Sequence, residues 1–111
     1  MNVLAKELNL EQEFKNSSGL STNPNLSTPK AITVLTVIAM RNKKFREIIN
    51  TREYETEIQN ERFGYIRKQV WKNTNKLLWK GWEGVKTGTT ETAGHCLMSC
   101  KENILISVYD C

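Results

Sequence analysis

Glu83-Gly-Val-Lys-Thr-Gly-Thr-Thr-Glu-Thr-Ala-Gly-His-Cys-Leu97 is the stretch on which the fold is decided. Gly84 and Gly88 flank Val85-Lys86-Thr87, and the segment reads as a strand end with a glycine at either side. Working outward, residues 93–100 and 103–109 read as two more strands, with Lys101-Glu102-Asn103 as the turn between them. Cys96-Leu97-Met98 and Ile104-Leu-Ile-Ser-Val108 suit a sheet buried on both faces. Upstream, Asn73 to Trp79 is a loop ending in a turn of helix. Thr51 to Ile66 alternates as strand, through Tyr54, Thr56 and Ile58 and then Phe63, Tyr65 and Ile66, with a break near Gln59-Asn60.

The first half reads as helix. Val3, Leu4, Leu8 and Leu10 predict a short helix over residues 2–10. Residues 16–27 are rich in Asn, Ser, Gly and Pro and form a surface loop. Thr28 (or Ser27) as N-cap and Pro29 at the first helical position start a helix over 29–41, with Ile32, Leu35, Ile38 and Ala39 on its inner face. Lys43 to Asn50 follows as a second helix, with Phe45, Ile48 and Ile49 inward. Helices followed by a largely antiparallel sheet make an α+β pattern.

Composition sets the outer limits. The chain has 111 residues, with 16 Lys+Arg against 12 Asp+Glu, a net charge of +4, 39% hydrophobic and 25% charged residues. Those proportions exclude disordered, collagen-like and coiled-coil classes, and the length fits one small domain. No apolar run reaches membrane-spanning length, since the longest, Ala31 to Met40, is interrupted by threonines. The amphipathic N-terminus has no secretory pattern. Cys96, Cys100 and Cys111 are odd in number, and Cys96 and Cys100 would stand about 13 Å apart along a strand, beyond disulfide reach. With His95 adjacent rather than offset, free thiols are expected and no metal site. Between Arg62 and Lys86 seven basic residues and three tryptophans are opposed only by Glu83. A solvated basic face is preferred here to a nucleic-acid surface.

The longer string Gly84-Val-Lys-Thr-Gly-x-Thr-x-x-Ala-Gly-x-x-Leu97 resembles the third motif of serine-type D-alanyl-D-alanine carboxypeptidases, the low-molecular-mass penicillin-binding proteins of peptidase family S11. Met1 to Leu10, Phe14-x-Asn-x-x-Gly-Leu20, Asn25-Leu-Ser-Thr and Asn73-Thr-Asn-Lys-Leu-Leu78 resemble further family segments, in the family's order. The resemblance covers essentially the whole chain. It implies part of a β-lactamase/transpeptidase-like fold, no cofactor, and a peptide substrate ending in D-Ala-D-Ala. By the same resemblance, Lys86 is the catalytic-site cation, set beside the reacting serine and the substrate carboxylate. Thr87 hydrogen-bonds that carboxylate, Gly88 admits the substrate backbone, and the Thr89 N–H is an oxyanion donor.

The family's other two motifs, Ser-x-x-Lys with the nucleophile and Ser-x-Asn, would lie upstream of Met1. Ser27-Thr-Pro-Lys30 and Ser21-Thr-Asn23 satisfy the patterns formally, but in reversed order within one loop, and Ser27 there is expected to serve the helix start. Gly81-x-x-Gly-x-Lys-Thr is no phosphate loop, because Val85 precedes the lysine. The expectation is an incomplete carboxypeptidase domain over residues 1–111, without hydrolysis on its own and taking β-lactams only if the other motifs are supplied. The alternatives are a non-catalytic remnant binding a peptide or protein, and a basic nucleic-acid-binding module. The family usually works outside the cytoplasm. Asn16-Ser-Ser and Asn25-Leu-Ser are glycosylation sequons that matter only in a secreted chain.

Overall fold

The computed structural model describes residues 1–20 and 25–110. In chain order they form α1 (Asn2–Glu7), β1 (Gln12–Glu13), β2 (Leu26–Ser27), α2 (Pro29–Ala39), α3 (Lys43–Ile49), β3 (Glu53–Asn60), β4 (Tyr65–Lys72), a 3₁₀ turn (Lys76–Lys80), β5 (Glu83–Thr90), β6 (Gly94–Lys101) and β7 (Ile104–Val108). The strands make three separate antiparallel sheets, β1-β2, β3-β4 and β5-β6-β7. The α+β class therefore holds, with the last three strands as the principal sheet. Ser21 to Pro24, including Ser21-Thr-Asn23, lie outside the described residues, as does Cys111.

Each helix starts where a side chain can take an orphan backbone N–H. The Thr28 hydroxyl accepts from Ala31 N–H at 3.2 Å, which makes Thr28 rather than Ser27 the cap of α2. Asn42 accepts from Phe45 N–H to start α3, and Asn75 accepts from Leu77 N–H to start the 3₁₀ turn. Glu102 and Asn103 adopt positive φ between β6 and β7, the geometry of a tight primed hairpin turn.

Packing departs from the apolar spacing in several places. On α2, Ala31 and Thr36 are buried while Ile38 is exposed; Thr36 donates to the Ile32 carbonyl and meets Met98 Sδ of β6 at 2.8 Å. On α3 only Ile49 is buried, and Ile48 is 60% exposed. In α1 the buried residue is Ala5, with Val3 and Leu4 outward. The shared reason is that each helix touches the rest of the chain along a narrow strip, so the residue at the point of approach is covered and its neighbours are not. The expectation of a sheet buried on both faces also fails. Strand β7 alternates, and Ile104, Ile106 and Val108 face outward because no described element covers that side.

The expected strand over 51–66 is a hairpin that runs further. β3 pairs with β4 from Glu53↔Lys72 to Asn60↔Tyr65, so residues 67–72 continue the second strand. The chain reverses at Asn60, whose Oδ1 accepts from the N–H groups of Arg62 and Phe63, and at Gly64 with φ +67°. The hairpin packs mainly on itself and is tied in at its base, where Asn73 N–H donates to the Arg52 carbonyl and Arg52 Nη2 donates to the Leu78 carbonyl. This arm helps stretch the molecule to 48 × 34 × 28 Å.

A polar knot joins α3, the 3₁₀ turn, β5 and β6. The Gly84 carbonyl accepts from Asn75 Nδ2 and from Ser99 Oγ, both at 2.7 Å, and Gly84 N–H donates to Asn50 Oδ1 at 2.9 Å. Ser99 is 1% exposed. A Cβ on Gly84 would stand 2.7 Å from Ile49 side-chain atoms, so this glycine is required by packing. Beside the knot, Arg46 pairs with Glu83 through two guanidinium nitrogens, and Asn50 also donates to Glu83. The hydrogen bond from Arg46, helped by the one from Asn50, holds the Glu83 carboxyl below the ordinary glutamate range.

Two outcomes follow from this packing. Gly84→Ala lowers unfolding free energy by about 1–3 kcal/mol in chemical denaturation, because the added methyl overlaps Ile49. Glu83 has a folded pKa below its unfolded one, so its stabilisation is present above the ordinary glutamate range and is lost as pH falls through the folded value. Melting temperature measured down the acid range should therefore fall less steeply in Glu83→Gln than in the parent chain.

Candidate functional site

Strand β5 is an edge. It pairs with β6, through Lys86↔Met98, Thr87↔Leu97, Gly88↔Cys96 and Thr89↔His95, and no strand among the described residues pairs with its other side. The register shifts between Glu83 and Lys86, next to a cis Gly84-Val85 peptide. An open edge of this kind presents backbone donors and acceptors to an extended peptide.

The expected site residues sit together on that edge. Lys86 is exposed, and its Nζ donates to the Thr87 carbonyl. Thr87 is half-buried, and its Oγ1 lies 2.6 Å from Thr74 Oγ1. Gly88 is exposed, and a Cβ built on it meets nothing closer than Lys86 Nζ at 3.9 Å. Unlike Gly84, then, Gly88 meets nothing among the described residues that requires it to be glycine. The Thr89 hydroxyl is 3.0 Å from Nδ1 of His95 across the strand pair.

Two depressions border the strand. One, of about 240 Å³, is lined by Thr74, Asn75, Gly84, Lys86 and Thr87 with Ile48 and Ile49. The other, of about 200 Å³, is lined by Gly88, Thr89, Thr90 and Ala93 together with Gly19 and Asn25. The second brings the Phe14–Leu20 loop against the Lys-Thr-Gly strand across some seventy positions of sequence. That loop is built by its own amides: Asn25 Oδ1 accepts from the N–H groups of Lys15 and Asn16, and Asn16 Oδ1 accepts from Gly19 N–H.

Thr74 and Asn75, which carried no role in the sequence reading, border the Lys-Thr-Gly strand: Thr74 Oγ1 meets Thr87 Oγ1, and Asn75 caps the 3₁₀ turn and donates to the Gly84 carbonyl. The cap at Asn75 was legible as local chemistry, but the Thr74–Thr87 contact joins residues 13 apart and has no local signal. Ser27, expected to serve the helix start, lies instead in β2, and Thr28 caps α2. Ser27 Oγ donates to Gln12 Oε1 and the Thr28 carbonyl, with no bond to Lys30. Cys96 and Cys100 are free thiols. Among the described residues no cluster of three or more His, Cys, Asp or Glu forms a metal-binding group, and no helix is long and apolar enough to cross a membrane.

Gly88→Ala should leave thermal stability within about 0.5 kcal/mol of the parent, in contrast to Gly84→Ala, because the space above Gly88 is open. Differential scanning calorimetry on the two variants separates them.

Comparison with known proteins gives one consistent answer. Residues 1–108 match the profile of the D-alanyl-D-alanine carboxypeptidase family, Peptidase S11. A D-alanyl-D-alanine carboxypeptidase from Streptomyces sp. (strain K15) is 35% identical over 101 residues, covering 88% of this chain and 35% of that protein. The D-alanyl-D-alanine carboxypeptidase DacF of Bacillus subtilis (strain 168) is 32% identical over 101 residues, covering 87% and 24%. The crystal structure of the Streptomyces K15 DD-transpeptidase superimposes with a TM-score of 0.80 at 32% identity, over 98% of this chain and 44% of that one. The chain thus spans about a third or less of the curated relatives it matches, and its fold is similar to the matching 44% of the Streptomyces transpeptidase. The extended Lys-Thr-Gly string, its place on an edge strand and the matched profile agree, and the chain belongs to the D-alanyl-D-alanine carboxypeptidase family.

Proposed function

We propose that residues 1–111 supply the Lys-Thr-Gly wall of a serine-type D-Ala-D-Ala carboxypeptidase site, and that the Ser-x-x-Lys and Ser-x-Asn elements come from polypeptide outside this sequence. The observation that carries the proposal is the row Lys86-Thr87-Gly88-Thr89 on an unpaired strand edge, with nothing above Gly88. A peptide laid along that edge would add to the sheet as a further strand. Its terminal carboxylate would face the Lys86 ammonium and the Thr87 hydroxyl, which Thr74 orients. The Thr89 N–H would lie where a developing oxyanion needs a donor, with a second donor from the nucleophile's own backbone.

Lys86 acts in this reading by electrostatics: it lowers the energy of the bound carboxylate and of negative charge forming near the serine. Hydrolysis further requires a serine oxygen to attack the D-Ala-D-Ala carbonyl and release the terminal D-Ala, leaving an acyl-serine that water cleaves. Ser27 does not fit that part. It is engaged with Gln12 on the β1-β2 pair, while Lys30 begins α2. The chain acting alone therefore binds at the wall without forming an acyl-enzyme.

Fluorescent penicillin tests this. Residues 1–111 alone should show no covalent band after denaturing electrophoresis. A band abolished by Ser27→Ala would place the nucleophile within this chain and overturn the proposed division. In any complete assembly containing this wall, Lys86→Ala should reduce labelling by about a hundredfold or more, as loss of a site electrostatic group does.

A further inference from the structure

We propose that His95 is a positioning residue of the Lys-Thr-Gly wall: through Thr89 it sets whether that hydroxyl donates to a carboxylate on the edge, so that carboxylate binding tightens as the imidazole takes up a proton. The proposal rests on the functional reading above, because it concerns the same edge and the same peptide carboxylate. Thr89 and His95 are directly opposite in the β5-β6 register, so their side chains stand on one face of the sheet. Thr89 Oγ1 and His95 Nδ1 are 3.0 Å apart, a hydrogen bond whose direction depends on which atom holds the proton. The next pair, Thr90↔Gly94, closes the hairpin and holds the two strands in register here.

Thr87 lies two positions back on β5 and shares that face. Two positions along a strand are about 7 Å, so the two oxygens of one carboxylate can each take a hydroxyl at ordinary hydrogen-bond lengths. Each of the two hydroxyls has a polar partner behind it, Thr74 for Thr87 and His95 for Thr89. Only the second of those partners titrates.

Counting protons gives the consequence. A threonine hydroxyl has one hydrogen to give, and a neutral imidazole has one N–H and one bare nitrogen. Where Nδ1 is bare, it takes the Thr89 hydrogen, and the hydroxyl then offers a carboxylate only lone pairs. Where Nδ1 carries the hydrogen, it donates to Thr89 Oγ1 and leaves the hydroxyl hydrogen for the ligand. Protonation removes the choice, because both ring nitrogens of an imidazolium are donors. Thr89 is then obliged to accept from His95 and to donate outward, beside an added positive charge.

The titratable and charged groups on the surrounding elements are Lys86 on β5, Glu91 in the β5-β6 turn, Tyr109 and Asp110 after β7, and Cys96 next to His95 on β6. Asp110 lies against the residue before His95, since a Cβ built on Gly94 would fall 2.5 Å from its Oδ1. The Cys96 thiol donates to the Ala93 carbonyl, and burial pushes the Tyr109 hydroxyl up. Of these side-chain types only imidazole ordinarily changes charge between about pH 5 and about pH 8.

The test measures the affinity of the isotopically labelled chain for an acylated D-Ala-D-Ala peptide by nuclear magnetic resonance at the two ends of that interval. The parent chain should bind about fivefold more tightly at the lower pH, the worth of one added hydrogen bond. His95→Gln, whose amide does not titrate, should bind equally at both. So should Thr89→Val, which keeps the backbone N–H and His95 but removes the hydroxyl. Persistence of the pH dependence in Thr89→Val would mean that the imidazolium acts by charge alone, and it overturns the positioning role. Equal binding by the parent at both pH values, or an unchanged dependence in His95→Gln, overturns it as well. If a variant lost its strand signal in circular dichroism, the peptide-free parent decides: the Thr89 amide and Cβ shifts should follow the His95 ring through its titration, and a Thr89 that does not follow contradicts the coupling. A parent chain that ignores the peptide at both pH values shows instead that the wall reading itself has failed, and the proposal falls with it.

Discussion

The Gly84 peptide group is the point on which the structure depends. Its carbonyl takes hydrogen bonds from Asn75 and the buried Ser99, and its N–H is taken by Asn50. Three elements that precede or follow β5 are thereby fixed to the start of that strand. Each of those polar groups is costly to bury unpaired, and each finds a partner at Gly84. Ile49 closes the remaining side so tightly that no Cβ fits. Everything from Lys86 to Thr89 is set by where this knot holds the strand.

Consequences for the site follow directly. The 3₁₀ turn that Asn75 caps is the same element that brings Thr74 to Thr87, so the cap and the site share one origin. Two glycines four positions apart then do opposite jobs. Gly84 is glycine because the protein itself occupies the Cβ position, and Gly88 leaves that position open above the exposed edge. An edge strand is ordinarily a hazard for aggregation. Here the open edge carries Lys86 to Thr89, the residues proposed above to receive a peptide.

Much of this was legible in the sequence, and the rest was not for identifiable reasons. Thr28-Pro29 marked the start of α2 because capping is local chemistry between neighbours. The Lys-Thr-Gly strand and the two strands after it were legible from glycine spacing and apolar runs. Inward faces were less so: Ile38 and Ile48 fit the helical period but lie outside the narrow contact strips, while Thr36 is buried because its hydroxyl is satisfied by the Ile32 carbonyl. The continuation of β4 through Arg67-Lys-Gln-Val-Trp-Lys72 shows no burial alternation, since the hairpin has little to pack against. Its charges looked like an unopposed basic run because their partners on β3 lie more than ten positions away and are brought opposite only by the register. The Asn50–Gly84 and Ser99–Gly84 bonds join residues 34 and 15 apart, and no local pattern announces them.

The central claim is that the Lys86–Thr89 edge receives a peptide carboxylate. Nuclear magnetic resonance titration of the isotopically labelled chain with an acylated D-Ala-D-Ala peptide measures it most directly. The account requires shift changes concentrated at the amides of Lys86 to Thr90 and at Thr74, and their disappearance in Lys86→Ala. Shifts located elsewhere, or an unaltered response in Lys86→Ala, would contradict it.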